Sequence, residues 1–304
     1  MPKRLLLISA LCLAACAAPR ADAIEGLTAA PQPTNPPPTA RPTSIPSLTP
    51  TLTLTPLPVG EGLGVRAGPT QPFAPDCVET KGAITNHNHH SKTLGYSLFY
   101  DIYLPACYEA TGDFYPVLYL LHGKSFVEDE WRRLGADEAA DELIAAGHAP
   151  PFIIVMPRGG ANSYFGDGLI DDLMPYVETT YRIRRDRADR AIGGLSRGAG
   201  WAIYLGLLRP DLFGAIGAHS PAIQYIHAPQ IDNLLDTLPP DKIPRIWIDI
   251  GDQDSLIGNT RWFMALLDER RIPYTFHTYP GKHEEVYWSA HVREYIQFYA
   301  EAWK

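Results

Sequence analysis

The chain has 304 residues and a formal net charge of −8, and 45% of its residues are hydrophobic. That length is ample for an α/β domain with a full core, and the acidic balance excludes nucleic acid and anionic membrane surfaces as electrostatic partners. The sequence carries no pattern that requires a metal or another cofactor.

The N-terminus has the pattern of a bacterial lipoprotein signal peptide over residues 1–15. Lys3 and Arg4 form a short positive region, and residues 5–13 form an apolar stretch too short to span a bilayer as a helix. It ends in Leu13-Ala14-Ala15-Cys16, where small residues suit a signal peptidase and the cysteine is the lipid acceptor. We expect an exported protein that is lipid-anchored through Cys16 to the outer face of a bacterial membrane. The alternative, an ordinary signal peptide with a chance cysteine, also predicts export.

Residues 16–69 have the composition of a disordered linker. Residues 31–60 contain ten Pro and seven Thr with Arg41 as their single charge, so the segment cannot bury enough apolar surface to offset its ordering entropy. Its prolines favour an extended, polyproline-like chain. We expect a stalk that lifts the following domain off the membrane, with a passive spacer as the alternative.

Two cysteines, Cys77 and Cys107, remain in the exported part of the chain besides Cys16. A pair of cysteines in an exported domain predicts a disulfide. It would tie the lead-in of the domain to the end of its first predicted strand. Two free, buried thiols are the alternative.

Residues 70–304 have the pattern of one α/β catalytic domain. Apolar runs predict strands at residues 97–104, 117–121, 152–156, 191–193, 215–218, 245–250 and 274–279. Helical periodicity predicts helices at residues 136–146, 168–181, 197–208, 259–271 and 286–303. Strands that alternate with helices predict a mostly parallel central sheet with helices on both faces.

A histidine-rich segment precedes the first predicted strand. His87, His89 and His90 lie within five residues of one another. Because no cysteine or carboxylate pattern accompanies them, we expect a solvated loop and no metal site.

The strand at residues 117–121 leads into His122-Gly123-Lys124. A continuous apolar run suits a parallel strand that is buried on both faces, and Gly123 permits a sharp turn. We expect the backbone N–H of Lys124 to supply one half of an oxyanion hole and the backbone N–H of Arg197 the other half. His122 is expected to brace this loop.

The pentapeptide Gly194-Leu195-Ser196-Arg197-Gly198 lies between a predicted strand and a predicted helix. In that setting a G-x-S-x-G pattern indicates a nucleophile elbow, whose tight turn requires small residues two positions on either side of the serine. We therefore assign Ser196 as the nucleophile. The alternative is a serine that only caps the helix.

The base and the acid are expected downstream of the serine. His283 follows the last predicted strand in a glycine-containing loop, where it can reach the serine as the general base. Asp254 follows the preceding strand and is assigned as the acid that orients His283, with Asp252 as the alternative. His277 and His291 are expected to be structural.

Aromatic residues near these loops are candidates for lining a substrate pocket. They are Trp131, Tyr164, Phe165 and Trp288. The alternative for each is packing in the core.

Several of these motifs together resemble one group of α/β-hydrolases. The segments Tyr119-Leu120-Leu121-His122-Gly123, Gly194-Leu195-Ser196-Arg197-Gly198, Ser220-Pro221 and Gly251-Asp252-Gln253-Asp254, with the stretch at residues 172–178, look like the esterase D/feruloyl-esterase type. The resemblance covers residues 96–304. It implies an α/β-hydrolase fold, with the acid at Asp254 and the histidine at His283.

The chain departs from this group immediately after the nucleophile. Members of the group usually have Met there, where this chain has Arg197. Its side chain is expected either to reshape the acyl pocket, to favour a negatively charged substrate, or to pair with Asp167 or Asp171.

The sequence thus predicts an extracytoplasmic serine carboxylesterase that forms an acyl-enzyme. The resemblance and the predicted export point to a carbohydrate-linked or aromatic acid ester as substrate, as in feruloyl and acetyl esterases. Alternatives are an acyltransferase of the mycolyltransferase type, a siderophore esterase of the enterochelin type, and a catalytically inactive surface-binding protein.

Overall fold

The computed structural model describes residues 77–159, 164–223 and 227–304, which lie within a compact unit spanning Ala67–Lys304. The predicted signal peptide, the lipidation site at Cys16 and the linker lie outside the described residues. Within the described residues, none of the helices has both the length and the apolar character needed to cross a membrane.

In the described ranges, eight strands form a single sheet. In chain order they are β1 Ala83–Ser91, β2 Tyr96–Leu104, β3 Val117–Leu121, β4 Ile153–Pro157, β5 Arg190–Leu195, β6 Ala215–His219, β7 Arg245–Gly251 and β8 Thr275–Tyr279. Their spatial order is β1-β2-β4-β3-β5-β6-β7-β8. β1 and β2 are antiparallel to their neighbours, whereas β4, β3 and β5 to β8 are mutually parallel.

Helices cover the sheet on both faces. They are α1 Glu130–Arg133, α2 Ala136–Ala145, α3 Phe165–Asp167, α4 Met174–Thr180, α5 Arg197–Leu208, α6 Ala228–Thr237, α7 Ile257–Glu269 and α8 Glu285–Ala300. A π-helical turn at Gly168–Leu173 joins α3 to α4. The predicted α/β-hydrolase architecture is confirmed, and the prediction for residues 197–208 matches α5 at both ends.

Strict alternation along the buried strands divides the core into two layers. On β3, Val117, Tyr119 and Leu121 face the layer that contains α4 to α7. Leu118 and Leu120 face the layer that contains α2 and α8. All five of these side chains are buried, which explains why β3 reads as an uninterrupted apolar run.

The histidine-rich segment was predicted wrongly as a solvated loop. It forms β1, one of the two edge strands, whose pairing with β2 places His87 opposite Tyr100 and His89 opposite Leu98. His87 Nε2 lies 2.8 Å from Thr85 Oγ1, and the ring of His89 stacks on Tyr176 at 4.1 Å. Strand pairing and ring stacking therefore occupy these histidines.

The predicted disulfide between Cys77 and Cys107 is present, and the free-thiol alternative is wrong. Cys107 follows β2, where the chain takes a positive φ of 66°. Because β2 is antiparallel to β4, its C-terminal end aligns with the N-terminal end of β4. The disulfide therefore lies at the edge of the sheet opposite the carboxyl ends of the parallel strands.

Candidate active site

Ser196 occupies the turn between β5 and α5. Its backbone has φ 53° and ψ −118°, a strained conformation for a residue with a side chain. Two backbone hydrogen bonds hold the turn: the Ser196 N–H donates to the His219 carbonyl at 2.9 Å, and the Ala222 N–H donates to the Ser196 carbonyl at 2.9 Å. The Ser196 side chain makes no capping bond to α5, so the helix-cap alternative does not describe it.

The two glycines of the pentapeptide are required by close backbone approach. A Cβ on Gly194 would lie 2.4 Å from the carbonyl carbon of Gly198, and a Cβ on Gly198 would lie 2.1 Å from the carbonyl oxygen of Leu121. β5, α5 and the end of β3 therefore meet at backbone contact distance directly beneath Ser196. This packing is the physical reason for the G-x-S-x-G spacing.

Three predicted site residues form one hydrogen-bonded chain. His283 Nε2 lies 2.8 Å from Ser196 Oγ, and His283 Nδ1 lies 2.8 Å from Asp254 Oδ2. Asp254 is 3% exposed, whereas the side chain of His283 is 28% exposed. The carboxylate is thus enclosed, and the imidazole borders the open side of the site.

The surroundings of Asp254 favour its ionised form. Burial opposes ionisation, but hydrogen bonds from His283 and from the backbone N–H of Leu256 outweigh it and hold the pKa of Asp254 below its usual value. The Leu256 N–H donates to Asp254 Oδ1 at 2.8 Å. A carboxylate held in this way fixes the Nδ1–H tautomer of His283 and leaves Nε2 to accept the serine proton.

Asp252, the alternative acid, has a different contact. Its Oδ1 accepts a hydrogen bond from the backbone N–H of Gly281 at 3.0 Å, so it joins the loop after β7 to the loop after β8. The side chain is exposed. The geometry thus favours Asp254 over Asp252 as the partner of His283.

The candidate oxyanion donors lie on two elements that meet at the elbow. Arg197 is the first residue of α5, where a backbone N–H has no partner within the helix. Within the described residues, the Lys124 N–H makes no hydrogen bond to a protein acceptor. The preceding N–H, that of Gly123, donates to Glu130 Oε2 at 2.6 Å.

His122 braces the loop, as the sequence predicted. Its Nδ1–H donates to the Gly123 carbonyl at 2.6 Å, and its Nε2 accepts the N–H of Gly159 at 2.7 Å. Burial lowers the pKa of His122 to about 4. The ring is therefore neutral at pH 7 and joins the loop after β3 to the loop after β4.

The side chain of Arg197 donates to two backbone carbonyl groups and does not take the expected aspartate partners. Its Nη2 donates to the carbonyl oxygens of Gly123 at 3.3 Å and Gly159 at 3.1 Å. Within the described residues, Arg197 forms no ion pair with Asp167 or Asp171. The residue is only 8% exposed.

The four aromatic pocket candidates occupy different environments. Trp131 is fully buried and donates its indole N–H to the Leu121 carbonyl at 3.1 Å. The prediction that it lines a pocket is therefore wrong, and it belongs to the core. Phe165 is also buried and packs edge-on against Trp201, which makes it core as well. Tyr164 is 62% exposed.

Trp288 supports the histidine instead of lining an open pocket. It is 3% exposed, its ring meets His283 edge-on at 5.0 Å, and its indole N–H donates to Ser220 Oγ at 3.1 Å. The two other histidines are packed among rings as expected. His277 stacks on Trp247 at 4.3 Å, and His291 stacks on Tyr279 at 4.0 Å.

Sequence reasoning missed a buried polar network beneath the site. His219 ends β6 and Asp249 lies opposite it on β7; both are fully buried, and His219 Nδ1 donates to Asp249 Oδ1 at 2.6 Å. Three further donors reach this carboxylate: Trp247, Tyr287 and Tyr295. Tyr299 completes the network at His219 Nε2, at 2.9 Å. The available signal was one histidine and one aspartate within the apolar runs of β6 and β7.

The network ties α8 to the strands that hold the elbow. The carbonyl of His219 accepts the Ser196 N–H, and the hydroxyl of Tyr299 lies where a Cβ on Gly193 or Gly217 would be, at 1.8 and 1.7 Å. These two glycines therefore make room for the tyrosine that reaches His219.

Sequence comparison identifies the family of the chain. A sequence model of the family described as "Putative esterase" matches residues 91–298. The chain belongs to this esterase family. The match includes Ser196, Asp254 and His283, the three residues of the hydrogen-bonded chain.

A curated protein is similar to part of this chain. The chain is 30% identical over 202 residues to a protein of Xylanibacter ruminicola named endo-1,4-beta-xylanase/feruloyl esterase; the match covers 61% of this chain and 27% of that protein. The chain thus spans about a quarter of that relative's length.

Solved structures share the fold. A structure named ferulic acid esterase is 26% identical with a TM-score of 0.67, covering 73% of this chain and 98% of that one. An S-formylglutathione hydrolase of Staphylococcus aureus is 24% identical with a TM-score of 0.62, covering 72% and 96% respectively.

Proposed function

We propose that this esterase-family chain is an extracytoplasmic serine carboxylesterase that works through an acyl-enzyme. The observation that carries the proposal is the hydrogen-bonded chain from Asp254 through His283 to Ser196, with both links at 2.8 Å. A nucleophile, a base and an orienting acid within hydrogen-bond reach are the arrangement that activates a serine hydroxyl.

In the first half-reaction, Ser196 Oγ attacks the ester carbonyl carbon while His283 Nε2 takes its proton. Asp254 stabilises the imidazolium that results. The negative charge that develops on the carbonyl oxygen is stabilised by hydrogen bonds that the backbone N–H groups of Lys124 and Arg197 donate to it. Collapse of the tetrahedral intermediate breaks the bond to the alcohol, which leaves with the proton from His283.

In the second half-reaction, a water molecule gives its proton to His283 and attacks the acyl carbon. Collapse returns the proton to Ser196 Oγ and releases the carboxylic acid. An alcohol in place of water would give acyl transfer with the same residues. Product analysis in the presence of a competing alcohol therefore separates hydrolysis from transfer.

The substrate class that we propose is an ester of an aromatic acid, or an acetyl ester, on a carbohydrate. The support is the similarity to one protein named as a feruloyl esterase and to a structure named as a ferulic acid esterase. Export would bring such a site to polysaccharides outside the cell.

A panel of esters tests this function. We expect the purified protein to hydrolyse methyl ferulate, methyl p-coumarate, acetylated xylan or 4-nitrophenyl acetate, and Ser196→Ala to lower kcat by several orders of magnitude. Folding of the variant is checked by circular dichroism. A folded Ser196→Ala variant that retains more than about a tenth of wild-type kcat would remove Ser196 from the mechanism.

We further propose that Cys16 carries the lipid that anchors the protein. The support is the sequence Leu13-Ala14-Ala15-Cys16 at the end of a short apolar stretch. Cys16→Ser should then move the protein from the membrane fraction to the soluble exported fraction. Cys12→Ser, a neighbouring cysteine within the leader, is the matched control and should leave it in the membrane fraction. A Cys16→Ser variant that stays with the membrane would contradict the anchor.

A further inference from the structure

The peptide between Gly123 and Lys124 is held at its carbonyl end by two side chains. The Gly123 carbonyl oxygen accepts the Nδ1–H of His122 at 2.6 Å and Nη2 of Arg197 at 3.3 Å. In a trans peptide the C=O and the N–H point in opposite directions, and the described residues contain no cis peptide bond. Fixing the oxygen of Gly123 therefore fixes the direction of the Lys124 N–H.

The other end of the Gly123 residue is held as well. Its N–H donates to Oε2 of Glu130 at 2.6 Å, and Glu130 is fully buried. The N–H of Gly123 is thus bound by Glu130, and its carbonyl oxygen is bound by His122 and Arg197. The loop has little freedom to rotate the next peptide.

Arg197 also connects this loop to the loop after β4. The same Nη2 donates to the Gly159 carbonyl at 3.1 Å, while the Gly159 N–H is bound by His122 Nε2 at 2.7 Å. His122 and Arg197 therefore form two parallel bridges between Gly123 and Gly159. Because the guanidinium is planar and carries several donors, one side chain can serve both carbonyl groups.

We propose that the side chain of Arg197 is a positioning residue for the oxyanion hole: by holding the Gly123 carbonyl, it aims and polarises the Lys124 N–H. The inference rests on the proposed function, since the Lys124 N–H acts only if Ser196 attacks a carbonyl. A cation at the oxygen of a peptide strengthens the N–H of that peptide as a donor. Arg197 thus serves both halves of the hole, one through its own N–H and the other through its side chain.

The effect of Arg197 should appear in the transition state and not in substrate binding. A thiono ester, whose carbonyl oxygen is replaced by sulfur, gains less from oxyanion donors because sulfur is a weak hydrogen-bond acceptor. The ratio of kcat/KM for 4-nitrophenyl acetate to that for its thiono analogue therefore reports on the hole.

The test compares Arg197→Met, Arg197→Lys and the wild-type full chain. Arg197→Met keeps the backbone N–H and the apolar bulk but loses the contacts to both carbonyl groups. This variant leaves the Lys124 N–H in place but no longer holds its direction. We therefore expect kcat to fall about tenfold, a smaller effect than the loss of an oxyanion donor causes. KM should change little, and the oxo-to-thiono ratio should fall in parallel. Arg197→Lys should recover part of both losses, since an ammonium can still donate to Gly123.

Arg187→Met is the matched control. Arg187 also donates to two backbone carbonyls, those of Pro210 at 2.6 Å and Lys242 at 2.8 Å, but it precedes β5 at the opposite edge of the sheet. Its loss should lower thermal stability without changing the oxo-to-thiono ratio.

Three results would overturn the inference. An unchanged oxo-to-thiono ratio in folded Arg197→Met would make the side chain merely structural. A defect confined to KM for anionic esters would assign it to substrate binding instead. A wild-type protein without Ser196-dependent turnover would remove the proposed function and this inference with it, and the wild-type and Ser196→Ala measurements identify that case separately.

Discussion

Asp252 and Gly281 are joined by a hydrogen bond of 3.0 Å from the backbone N–H of Gly281 to Asp252 Oδ1. The contact is reinforced by the N–H of Asp252, which donates to the Tyr279 carbonyl at 2.9 Å. The loop after β7 is therefore fastened to the loop that carries His283. Two residues further on, Asp254 binds the imidazole itself.

This division of roles predicts opposite outcomes for two similar substitutions. Asp254→Asn should lower kcat by about 10⁴, as in the serine proteases, because an amide stabilises the wrong tautomer of the histidine. Asp252→Asn retains an oxygen that can accept the Gly281 N–H, so its kcat should stay close to wild type. Steady-state kinetics on purified, folded variants decide the question, and the reverse ranking would transfer the role to Asp252.

The elbow packing predicts a large penalty for one added methyl group. Gly198→Ala would place a Cβ 2.1 Å from the Leu121 carbonyl oxygen, which is backbone and cannot move aside cheaply. We expect a loss of about 1–3 kcal/mol in the free energy of unfolding, together with reduced kcat as Ser196 shifts.

Gly258 provides the control for that substitution. It is an exposed glycine in α7, and no atom outside its chain neighbours and its own helix backbone lies within 4 Å of the position that an added methyl group would take. Gly258→Ala should therefore stabilise the fold by about 0.5–1 kcal/mol. Chemical denaturation measures both variants. Equal effects at the two positions would show that backbone contact at the elbow is not what requires glycine.

The buried carboxyl group of Glu130 should make the stability of the wild-type protein depend on pH. Burial raises its pKa from the usual 4.5 to about 7, so the folded protein holds this proton more tightly than the unfolded chain does. Its contribution to stability therefore falls as pH rises from about 4.5 to about 7, by about 1.4 kcal/mol for each pKa unit. Glu130→Gln has no carboxyl group to ionise and so does not lose stability in this way. The free energy of unfolding of the variant, minus that of wild type, should therefore rise between about pH 4.5 and about pH 7.

Glu128 offers a control of opposite sign. Burial opposes its ionisation, but the hydrogen bonds from Arg158 outweigh burial and hold the pKa of Glu128 below its usual value. Its contribution is present above about pH 4.5 and is lost on acidification. Glu128→Gln should therefore be destabilising at neutral pH and less so in acid. A flat difference between wild type and Glu130→Gln from pH 4 to 8 would contradict the raised pKa.

The disulfide should stabilise the fold without affecting the chemistry. It closes a separation of 30 residues between Cys77 and Cys107, which corresponds to about 3–4 kcal/mol by loop closure. Replacing both cysteines by Ala should cost about that much in denaturation experiments. Because the bond lies at the edge of the sheet opposite Ser196, kcat of the folded variant should be unchanged, and a large fall in kcat would contradict that separation.

The sequence predicted most successfully where local chemistry alone decides the structure. The pentapeptide around Ser196 is dictated by backbone contact, and β3 by burial on both faces. The loop positions of Asp254 and His283 follow from strand ends that meet at one edge of the sheet. Each of these constraints leaves a pattern within a few residues of the sequence, so it could be recognised before the distant partners were known.

Features that depend on distant partners could not be read in the same way. β1 is polar along most of its length, which an exposed edge strand tolerates, and only its pairing with β2 identifies it as a strand. Trp131 resembles a pocket residue until its indole is seen to bind the Leu121 carbonyl in the core. The partners of the Arg197 guanidinium are two backbone carbonyl groups. Every residue has such a group, so the sequence could not indicate which ones Arg197 would bind.

Ser196 is the proposed nucleophile, and mass mapping of a covalent phosphonate adduct tests that role most directly. Trypsin releases residues 191–197, Ala-Ile-Gly-Gly-Leu-Ser-Arg, in which Ser196 is the only side-chain nucleophile. After treatment with a fluorophosphonate, we expect one adduct per protein on this peptide, with none in Ser196→Ala and strongly slowed labelling in His283→Ala. A protein that hydrolyses esters but carries its adduct on another peptide, or labels equally in Ser196→Ala, would contradict the account.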